Sequence, residues 1–307
     1  MPHIPISFND KVVIITGAGG GLGRAHALEF AKLGAKVVIN DLGGAVDGTG
    51  GNSAAAEAVV KEITDAGGQA IANGASVTDD KGVEHLVKQT MDTWGRIDVL
   101  IANAGILRDK SFAKMEIRDF EAVMNVHLMG TVKPAHAVWP IMKAQKYGRI
   151  VVTTSSTGLY GNFGQTNYGA AKASLVGFMH SLRLEGEKDN IKVNAICPVA
   201  ATRMTENLMP PAVSELLKPE YVSPAVAFLA SDEAPTGVIM TAAAGVFAVA
   251  QLVETDGVNL GHKASADDVA DHFKQIADFS TSGKHYNQGG EQNMKFFAKI
   301  QEPPAVG

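Results

Sequence analysis

The 307-residue chain has one cysteine, Cys197, so it can form neither an internal disulfide nor a multi-cysteine metal site. Its nine histidines are scattered, without HExxH or other paired-ligand spacing, and no metal is expected. Basic charge is in deficit, with 27 Lys and Arg against 32 Asp and Glu and no basic run. A net charge of −5 gives no footprint for nucleic acid. A long uninterrupted apolar run is also missing. The most apolar uncharged stretch, residues 234–253, is interrupted by Pro235, Gly237, Thr241, Gly245 and Gln251, which argues against a membrane span. The first ten residues lack the charged and apolar regions of a secretion signal, and the final AVG is no peroxisomal address. The expectation is a cytoplasmic protein without a nucleic-acid or membrane partner.

With 46% hydrophobic and 19% charged residues, the chain has the composition of a globular protein with a large core. Short β-branched runs alternate with longer helical segments. Residues 11–16, 36–40, 69–73, 98–102, 148–154 and 191–196 read as strands, and 246–253 as a possible seventh. Helices are expected at 22–33, 53–66, 79–94, 117–145 and 167–188, with Pro134 and Pro140 kinking the fourth. Continuous apolar strands separated by helices imply a parallel sheet covered on both faces. The expected architecture is a single-domain α/β Rossmann fold, a doubly wound parallel sheet of about seven strands with helices on both faces. Its core spans about 8–258; a C-terminal extension, 259–307, holds a short helix at 266–279 and a polar tail.

The run TGAGGGLG, residues 16–23, follows the first strand and opens the first helix. In that context glycines permit a sharp turn and close approach of backbone to a pyrophosphate, which the helix N-terminus attracts. Gly17, Gly21, Leu22 and Gly23 are the candidate contacts. Asp41 ends the second strand, 24 residues after Gly17, where a carboxylate accepts hydrogen bonds from ribose hydroxyls and repels a 2′-phosphate. The expected cofactor is therefore NAD rather than NADP.

Tyr168 and Lys172 share one face of a helix at i, i+4, and Ser155 sits just past the fifth strand, at the sheet edge where such folds bind ligands. These side chains suit hydride chemistry. A secondary alcohol needs a base for its O–H while its C–H leaves as hydride, and an ammonium beside the phenol is expected to lower a tyrosine pKa from near 10. Ser155 would hold the substrate oxygen.

Together with ANAG at 102–105, these motifs resemble the short-chain dehydrogenase/reductase family. NDLGG at 40–44, AGILRD at 104–109, VHLMG at 126–130, QKYGRI at 145–150, YGNFGQTNY at 160–168, RMT at 203–205 and LKPEYVSP at 217–224 resemble, within it, the (3R)-hydroxyacyl-CoA dehydrogenase domain of peroxisomal multifunctional enzymes. The resemblance implies that Asn103 lies near the adenosine ribose, that Ser76 and Val77 flank the adenine, and that Thr202 bonds the nicotinamide carboxamide. It places His127 where the family usually has a proton-relay Asn, Ala75 in place of an adenine-binding acid, and Val199 in place of a glycine. It also implies a homodimer or homotetramer, built on the helices at 117–145 and 167–188. The implied reaction is oxidation of a (3R)-hydroxyacyl-CoA; 17β-hydroxysteroid oxidation is the alternative, and a non-catalytic NAD-binding protein a remote one. Tyr160, Phe163, Met204, Leu208 and Met209 are candidate pocket residues, and Arg108 and Lys110 a candidate cationic rim for the CoA.

Overall fold

The computed structural model describes residues 5–201, 211–280 and 283–305, and the chain divides into two compact units, 1–249 and 250–307. The first holds β1 (Val12–Thr16), β2 (Lys36–Asn40), β3 (Gln69–Asn73), β4 (Val99–Ala102), β5 (Gly148–Thr153), β6 (Ile191–Pro198) and β7 (Ile239–Ala243). The eighth strand, β8 (Val246–Ala250), ends at the boundary. The sheet order is β3-β2-β1-β4-β5-β6-β7-β8, and every pairing from β3 through β7 is parallel. Every residue of β1, β4 and β5 is buried, as expected for strands covered on both faces.

The helices are α1 (Gly21–Lys32), α2 (Ala54–Asp65), α3 (Asp80–Trp94), α4 (Ile117–Met124), α5 (Gly130–Gln145), α6 (Ser156–Tyr160), α7 (Thr166–Gly186), α8 (Pro211–Leu216) and α9 (Ser223–Leu229). Local chemistry sets their ends. Asp79 caps α3 by accepting the Gly82 N–H at 2.7 Å, and Gly95, at φ +71°, stops it.

Three elements differ from the sequence reading. The seventh strand is Ile239–Ala243, and 246–250 is an eighth; Ala244 and Gly245, at φ +50° and +78°, form the two-residue turn between them. The helix expected at 117–145 is interrupted at a π-helical turn, Asn125–Met129, while α5 runs on through both prolines. In the second unit, the helix expected at 266–279 is two short ones, α10 (Ala266–Asp271) and α11 (Phe273–Ile276). The tail carries a third, α12 (Gly289–Lys299). Among the described residues of that unit no apolar side chain is buried. No described helix is long and apolar enough to cross a membrane.

A buried carboxylate fixes β1 against β4. Asp98, at 0% exposure, accepts the Val12 N–H at 2.9 Å and two bonds from Arg96 at 2.8 and 2.7 Å. Asp98→Ala leaves a buried N–H and the guanidinium without their acceptor. It should lower unfolding free energy by roughly 3 kcal/mol in urea titration, with cofactor affinity unchanged once folded.

Candidate active site

The strand order reverses between β1 and β4, and their carboxyl ends flank a cleft of about 550 Å³. Thr16 joins the two ends: its Oγ1 accepts the N–H groups of Asn103 and Ala104, each at 3.1 Å. Asn103 Nδ2 returns bonds to the carbonyls of Thr16 and Gly17, again at 3.1 Å. Gly17 takes φ +64°, and a Cβ there would stand 2.8 Å from Ala104 Cα. Gly17, Gly21 and Leu22 line the cleft. Gly23 does not; it lies beneath, where a Cβ would come 2.2 Å from the Gly17 carbonyl oxygen, so it seats α1 on the turn.

Asp41 faces the cleft from the end of β2, and its oxygens accept the N–H groups of Gly19 at 2.7 Å and Gly43 at 2.6 Å. Each oxygen keeps a further lone pair for a hydroxyl. Ser76, Val77 and Asn103 also line the cleft, while Thr202 lies outside the described residues.

Ser155, Tyr168, Lys172 and His127 converge on the same cleft. Ser155 caps α6, its Oγ accepting the Thr157 N–H at 3.2 Å, which keeps its own hydrogen as a donor, given to Tyr168 in the protein alone. Lys172 is buried on α7, its Nζ donating to the Thr153 carbonyl at 2.6 Å and standing 5.5 Å from the Tyr168 ring centroid. Burial lowers the Lys172 ammonium to about 7. Burial raises the Tyr168 phenol, and the hydrogen bond from Ser155 opposes that rise. The ammonium was expected to lower the phenol; in the protein alone it makes no such contribution, being turned to the Thr153 carbonyl, and burial governs the rise.

His127 sits in the π turn at 2% exposure. Its Nε2 lies 2.8 Å from the Ile106 carbonyl and 3.2 Å from the Ile106 N–H, and its Nδ1 has no partner. The ring meets Tyr168 edge-on at 5.2 Å, and burial holds it neutral, well below the ordinary histidine range. Only glycine fits at 105, where a Cβ would lie 2.3 Å from His127 Cε1.

Two groups of candidates fall elsewhere. Tyr160 and Phe163, at 76% and 89% exposure, do not line the cleft, and Met204, Leu208 and Met209 lie outside the described residues. Arg108 and Lys110 both turn to Asp119, at 3.1 and 3.4 Å, instead of standing as a free rim. The sequence reading missed a loop, residues 42–52, whose Gly44, Ala45, Val46 and Gly48 line the cleft. Five glycines in eleven residues directly after Asp41 were the signal.

Residues 11–212 match the family model for short chain dehydrogenases. Among curated proteins, Rv0148 of Mycobacterium tuberculosis, named as a short-chain type dehydrogenase/reductase, is 49% identical over 88% of this chain and 95% of its own. The peroxisomal multifunctional enzyme type 2 of Mus musculus is 45% identical over 91% of this chain, which spans only 38% of that protein. The full-length peroxisomal multifunctional enzyme type 2 of Drosophila melanogaster superposes with a TM-score of 0.80 at 34% identity, over 96% of this chain and 50% of that one. A 7α-hydroxysteroid dehydrogenase, solved with NADH and 7-oxo glycochenodeoxycholic acid, gives 0.70 at 29% identity, over 78% of this chain and 95% of that one. The chain belongs to the short-chain dehydrogenase family and is an oxidoreductase acting on CH–OH donors with a nicotinamide cofactor.

Burial of the Lys172 ammonium costs stability, and the cost depends on pH. Its folded pKa, about 7, lies below the ordinary value of 10.5, so the cost of burying the ammonium is fully present below pH 7 and fades between pH 7 and 10.5. Lys172→Met should therefore melt higher than wild type at pH 7 while losing turnover. The difference in melting temperature should shrink as pH rises to 9.5, in parallel calorimetric scans.

Proposed function

We propose that this short-chain dehydrogenase is an NAD-dependent dehydrogenase that converts a (3R)-hydroxyacyl-CoA to the 3-ketoacyl-CoA. The observation that carries the reading is the convergence of Ser155, Tyr168, Lys172 and Asp41 on one cleft at the sheet's switch point. The acyl-CoA assignment draws on the similarity to the multifunctional enzymes of mouse and fly, and on the motifs that resemble their (3R)-hydroxyacyl-CoA dehydrogenase domain. The neighbour named as a 7α-hydroxysteroid dehydrogenase supports a steroid alcohol as the second reading, with 17β-hydroxysteroid oxidation as its candidate reaction.

The cleft fits a dinucleotide: glycine backbone at the N-terminus of α1 for the pyrophosphate, Asp41 for the adenosine ribose, Ser76 and Val77 beside the adenine, and Asn103 and Lys172 for the ribose hydroxyls. Gly23 supports the motif from below, and Thr202 is assigned to the carboxamide by family resemblance. When bound, the nicotinamide supplies the hydride acceptor and, in its oxidised form, a positive charge.

Tyr168 Oη is the base that takes the alcohol proton, and Ser155 Oγ donates to the substrate oxygen and holds it through the oxyanion stage. Lys172 keeps two ammonium hydrogens beyond the one given to Thr153. The raised phenol of Tyr168 needs positive charge from outside the chain before it ionises near neutrality. His127 takes the place of the relay Asn. The shorter contact of Nε2 is to the Ile106 carbonyl, so that nitrogen carries the hydrogen and the unpartnered Nδ1 is left as an acceptor for a passing proton.

Assembly is at least dimeric in this reading. Ala170, Ala173, Gly177 and Leu184 form an exposed stripe along α7, while Val176 turns into the core. Small residues there allow close approach of a second copy's helix. The lone thiol suits a reducing compartment, and we assign the cytoplasm on that ground.

The kcat/KM for NAD should exceed that for NADP by at least about tenfold, because a 2′-phosphate would face the Asp41 carboxylate. Equal use of both would contradict the cofactor assignment. A panel of acyl-CoA and steroid alcohols, read by NADH absorbance, should show oxidation of (3R)-hydroxyacyl-CoA. Oxidation of estradiol with no 3-hydroxyacyl-CoA turned over would replace the first reading with the second.

A further inference from the structure

We propose that Arg108 is a positioning residue that latches residues 42–52 across the cofactor cleft and couples closure of that strap to the placement of Tyr168. The inference rests on the reading of Tyr168 as base in a dinucleotide-binding cleft. It assigns roles to residues that this reading leaves unused.

The strap is an Ω-shaped loop. Its legs touch at the root, where a Cβ on Gly43 would stand 1.8 Å from the Asn52 carbonyl oxygen. Its tip is closed by Ala45 N–H donating to the Thr49 carbonyl at 2.8 Å, and by the Asp47 carboxylate, which accepts from Thr49 N–H at 3.0 Å and Thr49 Oγ1 at 2.7 Å. Gly43, Gly48 and Gly50 take positive φ, so the path is one that side chains would resist. The root begins at Asp41, and part of the strap forms the wall of the cleft.

The tip reaches the segment that follows β4. Leu107 N–H donates to the Val46 carbonyl at 3.0 Å, Arg108 Nε donates to the Asp47 carbonyl at 3.0 Å, and Ile106 lies against Gly48. The second arm of the Arg108 guanidinium is held by Asp119 on α4 at 3.1 Å. Because the Asp47 carboxylate is spent on the tip's own turn, Arg108 bonds the strap through backbone, and its fork is what spans strap and helix.

The same residue reaches the base from its other side. The Arg108 carbonyl accepts from Asn167 Nδ2 at 2.9 Å, and the fully buried Asn167 accepts the Tyr168 N–H through Oδ1 at 2.8 Å. Its neighbour Asp109 accepts from Gln165 Nε2 at 2.6 Å, which ties the segment to the start of α7 a second time. One residue is thus bonded by its side chain to the wall of the cofactor cleft and by its carbonyl to the residue that precedes the base.

The hold on the tip is slight: two hydrogen bonds and one van der Waals contact. Loops held so lightly open at low cost, and a ligand lying against the closed form shifts the balance toward closure. A dinucleotide against Gly44, Ala45 and Val46 would favour the closed strap, and the closed strap fixes Arg108, Asn167 and Tyr168 in line.

The test uses the full chain and three variants. Arg108→Ala should weaken NADH binding, followed by nicotinamide fluorescence, by at least about fivefold, the scale of one or two lost hydrogen bonds. Elastase should nick the strap at Ala45 or Val46 faster than in wild type, and NADH should protect the wild type but not the variant. At saturating NAD, kcat should stay depressed, since the variant keeps the backbone carbonyl that accepts from Asn167 but loses the guanidinium bond to Asp119 that holds this carbonyl in place. Arg108→Lys, which keeps the charge but loses the fork, should lie between. Asp119→Asn, which loosens the latch without removing it, should move the same readings less and serves if Arg108→Ala does not fold. Arg108→Ala or Asp119→Asn with wild-type NADH affinity and wild-type nicking would overturn the latch. Failure of the wild type itself to bind NADH would instead overturn the function on which it rests.

Discussion

Four hydrogen bonds between Thr16–Gly17 and Asn103–Ala104 hold the carboxyl ends of β1 and β4 at the distance on which the site depends. The two strands are neighbours in the sheet, but their following segments leave in opposite directions, and the cleft opens between them. With the knot in place, Gly17 passes within contact of Ala104, Gly23 seats α1, and the chain after Gly105 runs past His127 toward Tyr168. The requirement for glycine at 17, 23 and 105 follows from this crowding, where a single Cβ would collide with backbone or with the imidazole.

In the proposed reaction the positive charge that Tyr168 needs comes from the cofactor. Burial lowers Lys172 and raises Tyr168, so each is driven toward its neutral form, and the neutral His127 ring adds no charge. A phenol above its ordinary range is a poor base at neutral pH. A cation bound beside it reverses that, so deprotonation of Tyr168 is expected to follow cofactor occupancy. Stability is given up to hold an ammonium in such a place.

Much of this was legible in the sequence because it rests on short-range rules. The β-branched runs at 12–16, 36–40 and 148–153 are buried strands, and TGAGGGLG lies at the strand-to-helix turn its glycines demand. The i, i+4 spacing put Tyr168 and Lys172 on one face of α7. What was hidden depended on tertiary partners. IMTAA has little strand propensity of its own and becomes β7 by pairing with β6. The break in the long helix falls at 125–129, where His127 packs against Gly105 and Ile106, and not at the prolines that local rules single out. The path of the loop after Asp41 is set by the bonds that Val46 and Asp47 make with Leu107 and Arg108, some sixty residues away.

In the proposed reaction Tyr168 moves the substrate proton within a cleft that binds its cofactor independently of the Tyr168 hydroxyl. Replacing Tyr168 by Phe removes one hydroxyl and keeps the ring that packs against His127. NADH titration of Tyr168→Phe should give the wild-type dissociation constant, while single-turnover oxidation of the best alcohol substrate should slow by at least about a hundredfold. A variant that oxidises that alcohol at a near-wild-type rate would contradict the account.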